Sequence, residues 1–185
     1  MLKNQIRIIG GQWRSRQISF YDVPGLRPTP DRVRETLFNW LQFDIPGSRC
    51  LDLYAGSGAL GLEAASRGAK SVVQVESNLD ACRALKETAG KLAATQVKIV
   101  QSDVLRYLAG DVETFDIIFL DPPFGLNLIA QTCEWLEDKG WLSQHAKIYV
   151  EAESKLKFLH ELPVNWQLLK SKTAGDVGFH LFQKS

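Results

Sequence analysis

The chain has 185 residues, of which 45% are hydrophobic and 23% are charged, and this composition is typical of one soluble globular domain with a sizeable core. No apolar run approaches the ~20 residues that a membrane-spanning helix needs, and the first residues do not resemble a signal peptide. The cysteines, Cys50, Cys82 and Cys133, are odd in number and widely spaced. We therefore expect buried free thiols in a cytoplasmic protein, with no metal site.

The net charge of +1 is unevenly distributed along the chain. Residues 1–40 carry a charge of +4 and the remaining residues carry −3. A basic front on a slightly acidic body favours contact with a polyanion through one face, although a solvated basic surface would give the same distribution.

Residues 5–20 alternate loosely between apolar and polar side chains around Gly10-Gly11, a pattern that predicts a β-hairpin. No helix follows at once, so we expect the hairpin to lie outside the main sheet. Its arginines interleave with Trp13, a mixture that suits phosphate binding and base stacking. We expect residues 1–27 to form this arm and a linker, and residues 28–185 to form the main domain. The candidate RNA contacts are Arg7, Trp13, Arg14, Arg16, Arg27, Arg32 and Arg34.

The first helix is predicted to start at Thr29-Pro30, with Thr29 as its N-cap and Pro30 at its first position. Apolar side chains then recur at helical spacing and predict a buried face on which Arg34 does not lie. The residues of that face are Val33, Leu37, Trp40 and Leu41.

From residue 49 onward, predicted strands alternate with predicted helices. Strands are expected at 49–53, 71–75, 97–100, 115–120 and 147–150, with an antiparallel pair at 166–169 and 178–182. Helices are expected at about 59–67, 79–92, 104–108 and 127–138. This order predicts an α/β, Rossmann-like fold with a mostly parallel seven-stranded sheet and helices on both faces.

The stretch from Cys50 to Gly61 has the pattern of a strand, a glycine-rich turn and a helix start. Asp52 would repel the pyrophosphate of a dinucleotide, whereas S-adenosylmethionine is cationic and carries no phosphate. A tight strand-to-helix turn without a ligand is the simpler alternative. The candidate cofactor contacts in this stretch are Asp52, Tyr54, Ala55, Gly56, Ser57, Gly58 and Gly61.

Acidic residues also follow the next strands, at Glu76, Asp103 and Asp121. Ligands of open parallel sheets gather outside the carboxyl ends of the strands, where these residues would lie. Glu76 is 24 residues beyond Asp52, near the offset at which an acid bonds ribose hydroxyls. Asp103 is placed to accept from an adenine amino group, and Asp52 to hold the amino end of the ligand directly or through water. Ser77 and Val104 complete the predicted cofactor contacts.

The sequence Asp121-Pro122-Pro123-Phe124 follows a nearly unbroken apolar strand. The Asp121 carboxylate and the Pro122 carbonyl could accept both hydrogens of an exocyclic amine and direct its lone pair toward an electrophilic methyl group. The prolines stiffen the turn, and Phe124 offers a flat face for base stacking. These four residues are the candidate catalytic group, with Asp121 also facing the cofactor.

Together, these motifs resemble those of class I S-adenosylmethionine-dependent methyltransferases, and D-P-P-F is the form found in the branch that methylates exocyclic amines of adenine or guanine. The stretches Arg7–Arg14, Arg27–Thr29, Asp31–Leu41 and Tyr149–Glu151 further resemble the RsmD family of bacterial 16S ribosomal RNA guanine-N2 methyltransferases. The resemblance implies methylation of N2 of one guanine in 16S rRNA within the small ribosomal subunit. It also implies a monomer whose N-terminal hairpin contacts the rRNA.

The sequence leaves three other functions open. An adenine-N6 DNA methyltransferase shares the D-P-P-[FY] motif but usually carries a larger target-recognition segment. A non-catalytic module that binds S-adenosylmethionine or RNA during ribosome assembly would not need an intact amine clamp. An NAD-dependent dehydrogenase is disfavoured by Asp52 and by the lack of an evident hydride-transfer pair.

Overall fold

The structure is a computed structural model that describes residues 3–21, 28–123, 125, 128–153 and 158–185. Its strands are β1 (Lys3–Arg7), β2 (Gln17–Tyr21), β3 (Arg49–Leu53), β4 (Ser71–Glu76), β5 (Val97–Gln101), β6 (Phe115–Leu120), β7 (Leu142–Glu153), β8 (Trp166–Ala174) and β9 (Val177–Lys184). Its α-helices are α1 (Asp31–Trp40), α2 (Ala59–Ser66), α3 (Leu79–Lys91), α4 (Val104–Leu108) and α5 (Leu128–Asp138), and a 3₁₀ turn spans Phe158–Glu161.

The main sheet has seven strands in the order β5-β4-β3-β6-β7-β9-β8. Strands β3 to β7 pair parallel with one another, and β9 pairs antiparallel with both β7 and β8. The crossovers in this order require helices on the faces of the sheet, since parallel strands cannot be joined by tight turns. The predicted α/β fold with a mostly parallel seven-stranded sheet is thus confirmed.

The sheet separates two hydrophobic cores. One core contains side chains of α1, α2 and the N-terminal hairpin, among them Leu37, Leu62 and Ile18. The other contains side chains of α4 and α5, among them Leu108 and Cys133. The apolar sequence of β6 is buried on both faces because it lies in the middle of the sheet between these two layers.

Strand β7 is longer than the sequence predicted, since it begins at Leu142 rather than at Lys147. Its first residues, Leu-Ser-Gln-His-Ala, lack the apolar character of a buried strand. The pairing of β7 with β6 shifts its register between Phe115 and Ile117, as it does at a β-bulge. The polar residues at the start of β7 therefore join the strand through this irregular pairing.

All three cysteines are buried and free, as predicted. Burial raises the pKa of the Cys50 thiol to about 12. Among the described residues, no helix has the length and apolar character needed to cross a membrane.

Strands β1 and β2 form a separate two-stranded antiparallel sheet, so the predicted hairpin outside the main sheet is confirmed. The role expected for Gly10-Gly11 was wrong, because the strands are joined by the longer segment 8–16 rather than by a tight turn. This segment packs on the end of α2. Gly11 has φ +78°, and a Cβ there would lie 1.9 Å from the Ser66 carbonyl oxygen, so close packing requires the glycine.

The assignment of Thr29 as the N-cap was also wrong. Helix α1 begins at Asp31 with Pro30 at the cap position, and no side chain caps it. Because Pro30 has no N–H, this helix end leaves one fewer backbone donor to satisfy. The Thr29 hydroxyl is therefore free to bond elsewhere, as described below.

Arg34 was expected off the buried face of α1, yet its side chain is fully buried. Its guanidinium donates to the Arg7 carbonyl at 2.9 Å and also pairs with Asp31. It lies 3.6 Å from Glu63 of α2, whose side chain is fully buried as well. Two buried opposite charges compensate each other, which explains how an arginine is tolerated in this core.

Glu63 joins the hairpin to the main domain. Its carboxylate accepts hydrogen bonds from the Ile9 N–H at 2.8 Å and from the Gly10 N–H at 2.7 Å. It also accepts from the Arg67 side chain at 2.8 Å. The hairpin is consequently fixed to α2 by charge-assisted bonds in a buried environment, where such bonds are strong.

Replacing Glu63 with Gln should lower the free energy of unfolding by about 3–5 kcal/mol, because the buried Arg34 guanidinium would lose its buried charge partner and keep only Asp31, whose side chain is exposed. Chemical denaturation would measure this loss. The matched control is Glu134→Gln on α5, an exposed site where we expect a change within about 0.5 kcal/mol. Equal stabilities for the two variants would contradict the role given to Glu63.

Candidate active site

The predicted acidic residues meet at one edge of the sheet. Asp52 lies in β3 and Glu76 ends β4, while Asp103 is two residues after the end of β5 and Asp121 directly follows β6. Because these neighbouring strands are parallel, their carboxyl ends point to the same edge. The structure therefore brings together the four acids that the sequence placed at successive strand ends.

Asp52 is almost completely buried and holds the glycine loop in place. Its Oδ2 accepts a hydrogen bond from the Gly61 N–H at 3.0 Å and one from the Gln74 side-chain amide at 2.9 Å. A Cβ at Gly61 would lie 2.9 Å from this oxygen and 2.4 Å from the Gln74 nitrogen. Glycine is required there because the buried carboxylate and amide occupy the space of a side chain.

Burial raises the pKa of Asp52 to about 7, against the lowering effect of its hydrogen bonds from Gln74 and Gly61. Because Oδ2 already accepts hydrogen bonds from Gly61 and Gln74, a ligand in direct contact with Asp52 would have to bond to the other carboxylate oxygen. Asp52 thus has a structural task that its place in the sequence motif did not reveal.

The backbone turns sharply just after β3, at Tyr54, which has φ +64°. This left-handed conformation is uncommon for a side chain other than glycine and clusters at functional sites. The Tyr54 hydroxyl is hydrogen-bonded to Thr132 of α5 at 2.8 Å, which anchors the strained residue. Ala55 and Ser57 are buried behind it.

Glu76 closes the glycine loop from the neighbouring strand. Its Oε2 accepts from the Gly56 N–H at 2.8 Å, and its Oε1 accepts from the Asn78 N–H at 2.7 Å. The side chain is half-buried, and the following Ser77 is exposed. Each carboxylate oxygen has a second lone pair, so Glu76 can still accept from a ligand hydroxyl.

Asp103 is exposed and acts as the N-cap of α4. Its Oδ1 accepts from the Leu105 N–H at 2.9 Å and the Arg106 N–H at 3.2 Å. Val104, the other predicted contact here, is buried.

Asp121 belongs to a polar cluster that the sequence did not predict. The Thr29 hydroxyl lies 3.2 Å from Asp121 Oδ2 and 3.0 Å from Glu151 Oε2, and Glu151 is a buried residue of β7. Burial, and then the neighbouring Glu151 carboxylate, raise the pKa of Asp121 well above its ordinary value. Burial likewise raises the pKa of Glu151. The only sequence signal for this partner was an acid within the otherwise apolar stretch of β7.

The rest of the predicted catalytic group is partly described. Asp121 is half-buried, Pro122 is buried and Pro123 is exposed. Phe124 lies outside the described residues.

The predicted RNA contacts divide into two sets. Arg7, Arg14, Arg16 and Arg32 are exposed, whereas Arg27 lies outside the described residues. Arg34 and Trp13 were assigned wrongly, since Arg34 is fully buried and Trp13 is only 9% exposed, in the core that the hairpin shares with α1 and α2. Neither side chain presents a surface on which a phosphate could bind or a base could stack.

The donor set at the sheet edge suits S-adenosylmethionine. Glu76, Asp103 and Asp121 are carboxylates, which attract a cationic ligand, bond its hydroxyls and repel a phosphate. Within the described ranges, no group of three or more His, Cys, Asp or Glu side chains is arranged to hold a metal ion.

The sheet order, the glycine loop and the acids at the strand ends define a class I methyltransferase. A sequence family described as "Conserved hypothetical protein 95" matches residues 6–183. Ribosomal RNA small subunit methyltransferase D of Escherichia coli is 47% identical over 97% of this chain and 90% of its own length. The Haemophilus influenzae protein of the same name is 43% identical over 98% of this chain and 95% of its own length. The chain therefore belongs to this family, the RsmD family.

Solved structures agree with this assignment. The yhhF protein of Escherichia coli has a TM-score of 0.89 and 46% identity over 98% of this chain and 99% of that one. The 16S rRNA guanine-N2 methyltransferase RsmC of Thermus thermophilus, solved with AdoMet and guanosine, has a TM-score of 0.73 and 26% identity. The alignment with RsmC covers all of this chain and 50% of that one.

Replacing Asp52 with Asn should change how stability depends on pH. The pKa of Asp52 is about 7 in the folded protein and near 3.8 when unfolded, so the wild type loses stability as the pH rises between these values. Asn cannot ionise, so the stability of this variant relative to wild type should rise by roughly 2–4 kcal/mol from pH 4 to pH 7.

Urea unfolding at several pH values would measure this difference, with the exposed Asp111→Asn as the matched control. Parallel stability curves for wild type and Asp52→Asn would contradict the neutral-range titration of Asp52.

Proposed function

We propose that this chain transfers a methyl group from S-adenosylmethionine to the exocyclic N2 of one guanine in 16S rRNA. The observation that carries the proposal is the position of Asp121-Pro122, directly after the central strand β6 and beside the acids of the neighbouring strand ends. The names of the relatives support an rRNA substrate, and the guanosine bound to RsmC supports guanine as the target base.

Glu76 is proposed to accept hydrogen bonds from ribose hydroxyls, and Asp103 to accept one from the adenine amino group. The loop from Tyr54 to Gly58, together with Gly61, would pack against the same ligand, and Ser77 and Val104 would flank the adenosine. S-adenosylmethionine, when bound, supplies an electrophilic methyl group on a sulfonium. Asp52 holds the loop that faces this ligand, since its Oδ2 fixes Gly61.

The target amine would be held by the Asp121 carboxylate and the Pro122 carbonyl, with one N–H donated to each. This grip leaves the nitrogen lone pair free to face the methyl group, and Phe124 would stack on the base. Catalysis then comes mainly from orientation, since holding two reactants in attack geometry can remove about 7–11 kcal/mol of the barrier. The guanine must leave its stack, which costs less in a loop than in a duplex.

The small ribosomal subunit is the proposed partner, and the exposed arginines of the hairpin are its proposed contacts. Arg7, Arg14 and Arg16 lie on or between the two strands of the hairpin. The enzyme is proposed to act in the cytoplasm, since 16S rRNA is assembled there. It is also proposed to be a monomer, as the resemblance to the RsmD family implies.

The function is tested by methyl transfer from labelled S-adenosylmethionine to small subunits from cells that lack this activity. Naked 16S rRNA and duplex DNA are assayed in parallel, and the products are analysed as nucleosides. We expect N2-methylguanosine at a single site. Label in DNA adenine would instead establish the adenine-N6 alternative, and tight cofactor binding without any transfer would establish a binding module.

Replacing Asp121 with Ala should reduce methyl transfer by at least about 10³-fold, because the amine loses the group that orients it and accepts its proton. Calorimetry should show S-adenosylmethionine affinity within about fivefold of wild type, since other side chains hold the adenosine. A variant with nearly normal turnover would contradict the role of Asp121.

Reversing the charges of Arg14 and Arg16 to Glu should weaken subunit binding and reduce its salt dependence by about two counterions, while cofactor affinity stays unchanged. Filter binding at several salt concentrations would measure both quantities. The matched control is the same reversal at Lys170 and Lys172, which are exposed on the edge strand β8. Unchanged binding by the arginine variant would contradict the proposed contact surface.

A further inference from the structure

Thr29 lies between two carboxyl groups at the site, although neither its sequence position nor the predicted mechanism requires this contact. Its hydroxyl is buried, 3.0 Å from Glu151 Oε2 and 3.2 Å from Asp121 Oδ2. A threonine hydroxyl has one hydrogen and two lone pairs. It can donate to one carboxylate, but it can approach a second one favourably only by accepting a hydrogen from it.

The observed geometry therefore fits a pair of carboxyl groups that holds one proton. With both groups ionised, one of the two short contacts would bring a hydroxyl lone pair against an anion, at a site removed from water. With one group protonated, the chain carboxyl–hydroxyl–carboxylate is continuous and every hydrogen has an acceptor. Asp121 and Glu151 follow equivalent positions of the paired strands β6 and β7, where Phe119 is opposite Tyr149, so the two groups face each other.

Burial distinguishes the two carboxyl groups. Glu151 retains only 3% of its exposure, whereas Asp121 is half-buried at the edge of the site. The neutral form is favoured in the drier position, because desolvation penalises the charged form. Burial raises the pKa of Glu151, although hydrogen bonds from Thr29, Asp121 and Tyr149 act in the opposite direction. Burial and the adjacent Glu151 carboxylate raise the pKa of Asp121, so the two groups together favour holding one proton.

The neighbouring groups support this assignment. Tyr149 lies two residues before Glu151 on the same face of β7 and is fully buried. Burial, and then the charges of Glu151 and Asp121, raise the pKa of its hydroxyl, so it stays neutral beside the pair. The charge of Asp121 also contributes to the raised pKa of Asp52 of β3, so a third acid lies close to the pair. His180 of β9 is paired with Val150 and so lies on the opposite face. The charged groups that face the pair within the described residues are thus acidic, which favours retention of a proton.

We propose that Asp121 and Glu151 share one proton through Thr29 in the resting enzyme. When the target amine donates to Asp121, this proton stays on Glu151, and Asp121 is the ionised group that accepts the proton of the amine. This inference rests on the proposed function for the role of Asp121. As the new N–C bond forms, the bond between the methyl carbon and the sulfonium sulfur breaks, its electron pair stays on sulfur as a neutral thioether, and the amine nitrogen becomes positively charged. One N–H bond then breaks, its electron pair stays on nitrogen, and the proton passes to the Asp121 carboxylate.

After that transfer the pair is neutral and carries two protons. One proton returns to water when the site opens, which restores the singly protonated state. Glu151 and Thr29 are positioning residues in this scheme, because they act through Asp121 and do not touch the base.

The first test needs no substrate. Glu151→Gln mimics the protonated carboxyl, since its amide is neutral and can donate to Thr29. The wild type should lose stability as the pH rises from about 4.3, the value of an unfolded glutamate, through the higher pKa of the folded pair. The Glu151→Gln variant lacks this loss. The difference in Tm between the variant and the wild type should therefore increase by about 3–6 °C as the pH rises through this range.

The matched control is Glu153→Gln, two residues further along β7 and half-buried, for which we expect a constant difference. A constant Tm difference for Glu151→Gln as well would overturn the shared proton. This readout is independent of methyl transfer, so it would still decide the shared proton if the wild type modified no substrate and the proposed function failed.

The second test measures turnover on small subunits. Glu151→Gln should keep kcat within about fivefold of wild type at pH 7, because it preserves the neutral donor. Thr29→Val should lower kcat roughly 10- to 100-fold with KM unchanged, the effect of one lost hydrogen bond to a charged group. Thr29→Ser should restore kcat. A loss of more than about 100-fold in folded Glu151→Gln would show that the charge of Glu151 is needed, and would overturn the proposal.

Discussion

The buried carboxylate of Glu63 is the contact on which the arrangement of the site depends. It accepts two backbone N–H groups of the hairpin and compensates the buried Arg34 of α1. Helix α2, which carries Glu63, starts directly after the glycine loop and has only eight residues. One short helix therefore fixes the positions of both the glycine loop at its N-terminus and the basic hairpin bound to its C-terminal half. The proposed cofactor and rRNA contacts consequently keep a fixed separation.

A second constraint is the concentration of negative charge at the carboxyl edge of the sheet. Each acid there has a different environment, which gives it a different task. Asp52 is buried against the glycine loop, Glu76 joins that loop to the next strand, and Asp103 caps a helix. Asp121 alone shares a hydroxyl with another carboxyl group. An acidic edge attracts a cationic ligand, and it also stabilises the positive charge that an amine acquires on methylation.

Most of the fold could be predicted from the sequence because its signals are local. The apolar run of β6, the glycine turn after β3 and the alternation of strands with helices depend on residues close together in the chain. The errors fell on residues whose roles depend on distant partners. Arg34 was read as a surface residue, and Trp13 as a stacking platform. Arg34 is instead buried beside Glu63, and Trp13 is buried in the core that the hairpin shares with α1 and α2. Gly10-Gly11 was read as a turn because its need for glycine arises from Ser66 of α2, which only folding brings near.

The sequence by itself determined the class of fold, the family and the motif residues of the site, since each is written in contiguous stretches. Only the tertiary structure decided how those residues are supported. The Thr29 hydroxyl lies 3.0 Å from Glu151, which is 122 residues away in sequence, and 3.2 Å from Asp121, which is 92 residues away. No periodicity or spacing encodes such pairs, because they result from strand order and from the packing of α1 on the sheet. The protonation of the carboxyl groups follows from that packing, since burial and proximity set their pKa values.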